Sequence, residues 1–134
     1  MSIFNSIFGN SEENKTTGSE INWIPLTDLG QLNEIVELSD EKPIAIFKHS
    51  TRCSVSRMAL KQFEAETLQY NVFTDDNVLA YFLDLIEYRD ISNEIASRFQ
   101  VVHQSPQLLL IKNGKSVYDV SHNDIDAGEL KTKL

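Results

Sequence analysis

Pro43-Ile44-Ala45-Ile46-Phe47-Lys48-His49-Ser50-Thr51-Arg52-Cys53-Ser54-Val55-Ser56 passes from strand-like to helical sequence within a single stretch. Ile44 to Lys48 is a compact apolar run, the pattern of a strand covered on both faces. From Cys53 onward the period changes. Val55, Met58, Ala59 and Phe63 fall on one side of a helix, and Arg57, Lys61 and Glu64 fall on another.

The same alternation continues outward in both directions. Upstream, Asn22-Trp23-Ile24-Pro25-Leu26 reads as a short strand, with Pro25 marking an edge or an end. Thr27 or Asp28 is a candidate cap for a helix carrying Leu29, Leu32, Ile35 and Val36, and Lys42-Pro43 ends it. Downstream, Val78 to Leu85 is a third strand candidate. Asp90 is placed to cap a helix with Ile91, Ile95, Ala96 and Phe99 on one stripe. Leu108 to Ile111 and Ser116 to Val120 flank Lys112-Asn113-Gly114-Lys115, and Asn-Gly between two strands is a strong hairpin signal. A short helix from about Asp124 closes the chain. The order β-α-β-α-β-α-β-β-α predicts an α/β fold: a mixed central sheet of about five strands with helices on both faces.

With 134 residues, 41% of them hydrophobic and 24% charged, the chain is large enough to bury one core without staples. The predicted domain spans 21–134. Residues 1–20 read as a flexible N-terminal tail and linker, polar from Asn10 to Glu20. The apolar Ile3, Phe4, Ile7 and Phe8 suit either a helical turn docking on a partner or membrane, or a sticky tail or turn packed on the domain's own surface. That segment has no basic residue before its apolar part and is short for a signal-peptide core. A formal charge of −8 argues against nucleic acid as a partner. No run approaches the ~20 apolar residues that span a bilayer, so no membrane partner is expected.

Cys53 is the one cysteine in the sequence. At a helix N-terminus a thiol meets unpaired backbone N–H groups and the positive end of the helix dipole, which favour the thiolate. One thiol cannot close an internal disulfide, so a redox cycle must take its second sulfur from another molecule. Arg52 and Arg57 can add positive potential. His49, four residues before Cys53, is a candidate acid or base, or a solvated or hydrogen-bonded strand-end histidine. Ser56 lies one helical turn from Cys53 on the same face, where a hydroxyl can donate to a thiolate. His103 and His122 read as surface residues, and one cysteine with scattered histidines is a poor metal pattern. No metal site is expected.

The order of elements, Cys53-Ser54-Val55-Ser56 at the strand-to-helix turn, and Val101-Val102-His103-Gln104-Ser105-Pro106-Gln107 before the terminal hairpin together resemble the thioredoxin fold. More closely, Lys48-His49-Ser50-Thr51-Arg52-Cys53 with Ser56, and His103-Gln104-Ser105-Pro106-Gln107, resemble the monothiol bacilliredoxin (YtxJ) family of bacillithiol-system redox proteins. Ser54 departs from the proline that often follows the cysteine in that family. Ser56 stands where dithiol thioredoxins carry their resolving cysteine.

The resemblance implies a cytoplasmic thiol–disulfide oxidoreductase that removes bacillithiol from protein mixed disulfides. Cys53 would be catalytic, and Thr51, Arg52, Ser56, Ser105 and Pro106 would bind substrate. The Ser105–Pro106 bond would be cis and lie beside the cysteine. Bacillithiol would act as redox co-substrate, with no tightly bound cofactor. An alternative follows from the spacing of cysteine and serine, which also resembles monothiol glutaredoxins that hold an iron–sulfur cluster. The glycine after cysteine in that motif is missing here.

Overall fold

The computed structural model describes residues 21–73 and 77–134. The readings made for residues 1–20 lie outside the described residues. Five strands and four helices alternate as β1 (Trp23–Pro25), α1 (Gly30–Leu38), β2 (Ile44–His49), α2 (Ser54–Gln69), β3 (Leu79–Asp84), α3 (Arg89–Phe99), β4 (Gln107–Lys112), β5 (Lys115–Ser121) and α4 (Ala127–Lys133). The sheet order is β1-β3-β2-β4-β5. β1, β3 and β2 run parallel, while β4 is antiparallel to both β2 and β5. This is the mixed sheet expected from the sequence.

β2 is central and all six of its residues are buried. Its side chains alternate between two cores, as the strand period of two requires. Ile44 and Ile46 pack with Leu32 and Ile35 of α1 and Ile91, Ile95 and Phe99 of α3. Ala45 and Phe47 pack on the opposite face with Phe63 of α2 and Ala127 and Leu130 of α4. The hairpin between β4 and β5 turns at Asn113 (φ 51°) and Gly114 (φ 76°), both in the left-handed region. It is fastened to the end of α1, where Ser39 accepts from Asn113 N through its carbonyl and from Gly114 N through its hydroxyl.

Several local expectations shift. Asp28 sits before α1 and its carboxylate accepts from Gly30 N, but the residue in the cap position is Leu29. Gln31 supplies the missing acceptor, taking the N–H groups of Thr27 and Asp28 on its side-chain oxygen. Asp90 lies inside the first turn of α3 rather than ahead of it. α4 begins at Ala127 rather than at about Asp124, with Asp126 as its cap, accepting from Gly128 N and Glu129 N after a 3-10 turn at His122–Asp124. Most consequentially, Val55 and Met58 do not join Phe63 in the core. They are 57% and 71% exposed and line an open cavity instead.

Candidate active site

The end of β2 and the start of α2 deliver Cys53 to the surface. Cys53 is the N-cap residue of α2, with extended backbone angles (φ −103°, ψ 122°) and an exposed thiol. Its carbonyl accepts from Arg57 N, so the first helical bond is already in place. The sulfur then faces the unpaired N–H groups of the first turn. These hold the thiol below its ordinary pKa: the backbone N–H of Ser56 acts most strongly, then that of Val55, with smaller help from the Ser56 hydroxyl and the Arg57 guanidinium. Partial desolvation opposes them. The thiolate is thus favoured mainly by main chain, which point substitutions leave in place.

Ser56 is buried, and its hydroxyl has no conventional hydrogen-bond partner among the described residues. It is free to serve sulfur or substrate. The cation that acts on Cys53 is Arg57, whose Nη1 also donates to the Thr51 carbonyl. Arg52, expected to share that work, is simply exposed. Thr51 is exposed too, and its hydroxyl donates to Asp84 at the end of β3, fastening the loop that leads into Cys53. Asp84 was not singled out from sequence.

The Ser105–Pro106 peptide is cis. Lys48 pairs with Gln107 in the sheet register, so Pro106 lies one step beyond the end of the β2–β4 ladder, toward Cys53. Pro106 shares a cavity of about 390 Å³ with Val55, Met58 and Gln62 of α2 and with His122 and Asn123 after β5. Ser105 presents a second buried hydroxyl without a partner among the described residues. The structure therefore gathers Cys53, Thr51, Ser56, Ser105 and Pro106 around one end of the sheet. Arg52 flanks them.

One reading of the approach to Cys53 needs correction. His49 is not a solvated strand-end residue, being 3% exposed, whereas Lys48, at 0%, is covered as the apolar run predicts. β2 stays buried to its last residue, because Gln107 and Leu83 flank Lys48 and Asp84 flanks His49 on the neighbouring strands. His49 lies against the rings of Phe47 and Phe82, and neither ring nitrogen has a partner among the described residues. Burial lowers its pKa first. Asp84 pulls the other way, Arg57 adds to the lowering, and Glu64 opposes it weakly. The imidazole is neutral at pH 7. His103 is exposed, as expected, and its Nδ1 lies 3.0 Å from Lys48 Nζ. No spacing in the sequence announces that contact across 55 positions.

No group of three or more candidate metal ligands occurs among the described residues, and none of their helices is long and apolar enough to cross a membrane. One similar solved structure is a candidate oxidoreductase with a thioredoxin fold, 28% identical, with a TM-score of 0.67, covering 82% of this chain and 91% of that one. Thioredoxin Mala s 13 of Malassezia sympodialis is 18% identical, with a TM-score of 0.64 and coverage of 91% and 95%. Thioredoxin NaTrxh of Nicotiana alata is 24% identical, with a TM-score of 0.60 and coverage of 93% and 95%. These likenesses establish the thioredoxin fold. The sequence model of monothiol bacilliredoxin BrxC matches residues 24–130, nearly the whole described domain and every residue of the site above. With its single thiol at the N-cap of α2, the chain belongs to the monothiol bacilliredoxin family of thiol redox proteins.

Proposed function

We propose that the protein removes a low-molecular-weight thiol, bacillithiol, from protein mixed disulfides by a monothiol mechanism. The observation that carries this reading is the exposed Cys53 at the N-cap of α2, its thiolate favoured by the N–H groups of Ser56 and Val55, in a chain with no second cysteine. The Cys53 thiolate attacks the small thiol's sulfur in the mixed disulfide. The old S–S bond breaks, a new one joins Cys53 to the small thiol, and the substrate protein leaves as a thiolate that takes its proton from water. No electrons are gained or lost overall, because the disulfide only changes owner.

Return to the free thiol requires a second low-molecular-weight thiol or a reductase to attack the adduct, since Ser56 carries no sulfur. In this reading the Ser56 and Ser105 hydroxyls, both without a partner among the described residues, donate to sulfur or accept from substrate N–H during attack. Val55, Met58 and Pro106 give the substrate an apolar wall. Family membership supports bacillithiol as the small thiol. The test compares release of reduced protein from bacillithiol and glutathione mixed disulfides by wild type and by Cys53→Ser. Faster release from the bacillithiol adduct, abolished in the variant, supports the proposal. Equal rates for both small thiols would remove bacillithiol from it.

A further inference from the structure

Lys48 lies outside every contact that the exchange step uses, yet it is among the largest fully buried side chains. The ion pairs Arg98–Glu94 and Lys133–Glu129 do not include Lys48, and no carboxylate among the described residues pairs with it. Its partner is instead the Nδ1 of His103, and the Ser92 hydroxyl lies 3.2 Å from the same nitrogen. An ammonium group has only protons to offer, so Nδ1 is the acceptor and the ring proton sits on Nε2. Three elements meet there: Lys48 from β2, Ser92 from α3, and His103 from the segment between α3 and β4.

That segment, residues 101–106, ends at Ser105 and Pro106 in the active site. Its other hydrogen bonds include one from beyond β5, where His122 N donates to the Pro106 carbonyl, and two local ones. Val101 N donates to Ala96 O where α3 ends, and Gln107 Nε2 reaches back to the Val102 carbonyl. His103 is its side-chain tie to the central strand. An unpaired buried cation is a poor device for stability, because an apolar side chain of similar volume usually does better. A use in positioning accounts for its presence.

We propose that Lys48 and Ser92 are positioning residues that hold His103, and through it Ser105 and Pro106, in place beside Cys53, and that protonation of His103 releases the hold. The groups facing His103 are Lys48 from β2 and Arg89 and Ser92 from α3. Burial, then Lys48, then Arg89 hold its pKa below the ordinary 6.5, so the ring is neutral at pH 7. As pH falls through that lowered value, Nδ1 loses its lone pair and the imidazolium repels Lys48. Lys48 itself loses its proton near pH 8, but the neutral amine still donates, so the hold weakens on that side without breaking.

This inference rests on the exchange reading, and its test separates the two. Wild type, Lys48→Met and His103→Asn are compared by three measurements. These are exchange with a bacillithiolated protein, alkylation of Cys53 by iodoacetamide, and hydrogen exchange of the amides of residues 101–105. In Lys48→Met the expected results are faster amide exchange in that segment, an unchanged alkylation rate against pH, and a fall in exchange of about tenfold or more from misplacement of substrate-contacting groups. The variant should melt no lower than wild type. His103→Asn keeps an acceptor near the Nδ1 position but cannot be protonated, so the acid limb that exchange shows beyond that of alkylation should vanish. Unchanged amide protection in Lys48→Met would overturn the positioning role whatever the activity shows. An extra acid limb that survives in His103→Asn would overturn the proton control. A wild type that fails to exchange would count against the exchange reading alone.

Discussion

Replacing Lys48 with Met should stabilise the fold while impairing exchange, and the size of the gain follows from the lysine's own titration. Burial lowers its pKa from 10.5 to about 8. At about 1.4 kcal/mol for each tenfold change in proton affinity, that fall corresponds to a penalty of roughly 3 kcal/mol for the charged form. The exposure of 0% supports applying most of it without a discount for solvent screening. Lys48 is a base whose folded pKa lies below its unfolded one. Below pH 8 both states hold the proton and the penalty is present in full. Between pH 8 and 10.5 the unfolded chain binds more protons, so wild-type stability rises with pH and the penalty fades.

Met fills a similar volume without charge, and His103 keeps the Ser92 hydroxyl as a partner. The expected gain at pH 7 is about 2–3 kcal/mol, or roughly 10 °C in melting temperature for a domain of this size. Guanidinium unfolding of wild type and variant at pH 7, 9 and 10.5 measures it. The difference should be largest at pH 7 and nearly gone at 10.5. A variant less stable than wild type at pH 7, or a difference that ignores pH, would refute the reasoning.

Three other changes test neighbouring parts of the account. Ser56→Cys puts a second thiol one helical turn from Cys53 on the same face, so it should attack the small-thiol adduct and close an internal disulfide, leaving the protein lighter by the small thiol in intact-mass spectra. His49→Phe removes two partnerless ring nitrogens from among Phe47 and Phe82 and should raise stability by about 1–3 kcal/mol at pH 7. Because the folded pKa of His49 is lowered, wild type loses stability as pH falls below 6.5, at up to about 1.4 kcal/mol per pH unit. His103 adds to that loss, so urea titrations at pH 5 and 7 should show a shallower slope in His49→Phe, not a flat one. Gly114→Ala forces a Cβ onto a residue at φ 76° and should cost about 1–2 kcal/mol in the same assay.

The order of elements was legible because it rests on local pattern. Apolar residues alternating or recurring at helical spacing reveal β2, α3 and β4, and Asn113-Gly114 reveals the hairpin, since only such residues take both positive φ angles. Cys53 at the N-cap was legible for the same reason: the change of period falls on it. What the sequence hides is contact across the sheet. The apolar run shows Lys48 covered, but only His103, far along the chain, shows what its amine meets inside. Val55 and Met58 show a second limit. A helical stripe looks identical whether a core or a substrate covers it, and here Val55, Met58 and Ala59 line the cavity beside Pro106. The cap of α4 shows a third, since Asp124 and Asp126 are equivalent in composition and only the 3-10 turn between β5 and α4 decides for Asp126.

The central claim is that Cys53 alone takes over the small thiol and keeps it until another molecule removes it. Intact-mass spectrometry after one equivalent of a bacillithiolated protein is mixed with reduced wild type tests it directly. The account predicts one bacillithiol per chain, located on Cys53 by peptide mapping, together with fully reduced substrate. Reduced substrate alongside unmodified protein would contradict it, because the chain would then discharge the small thiol without a second sulfur.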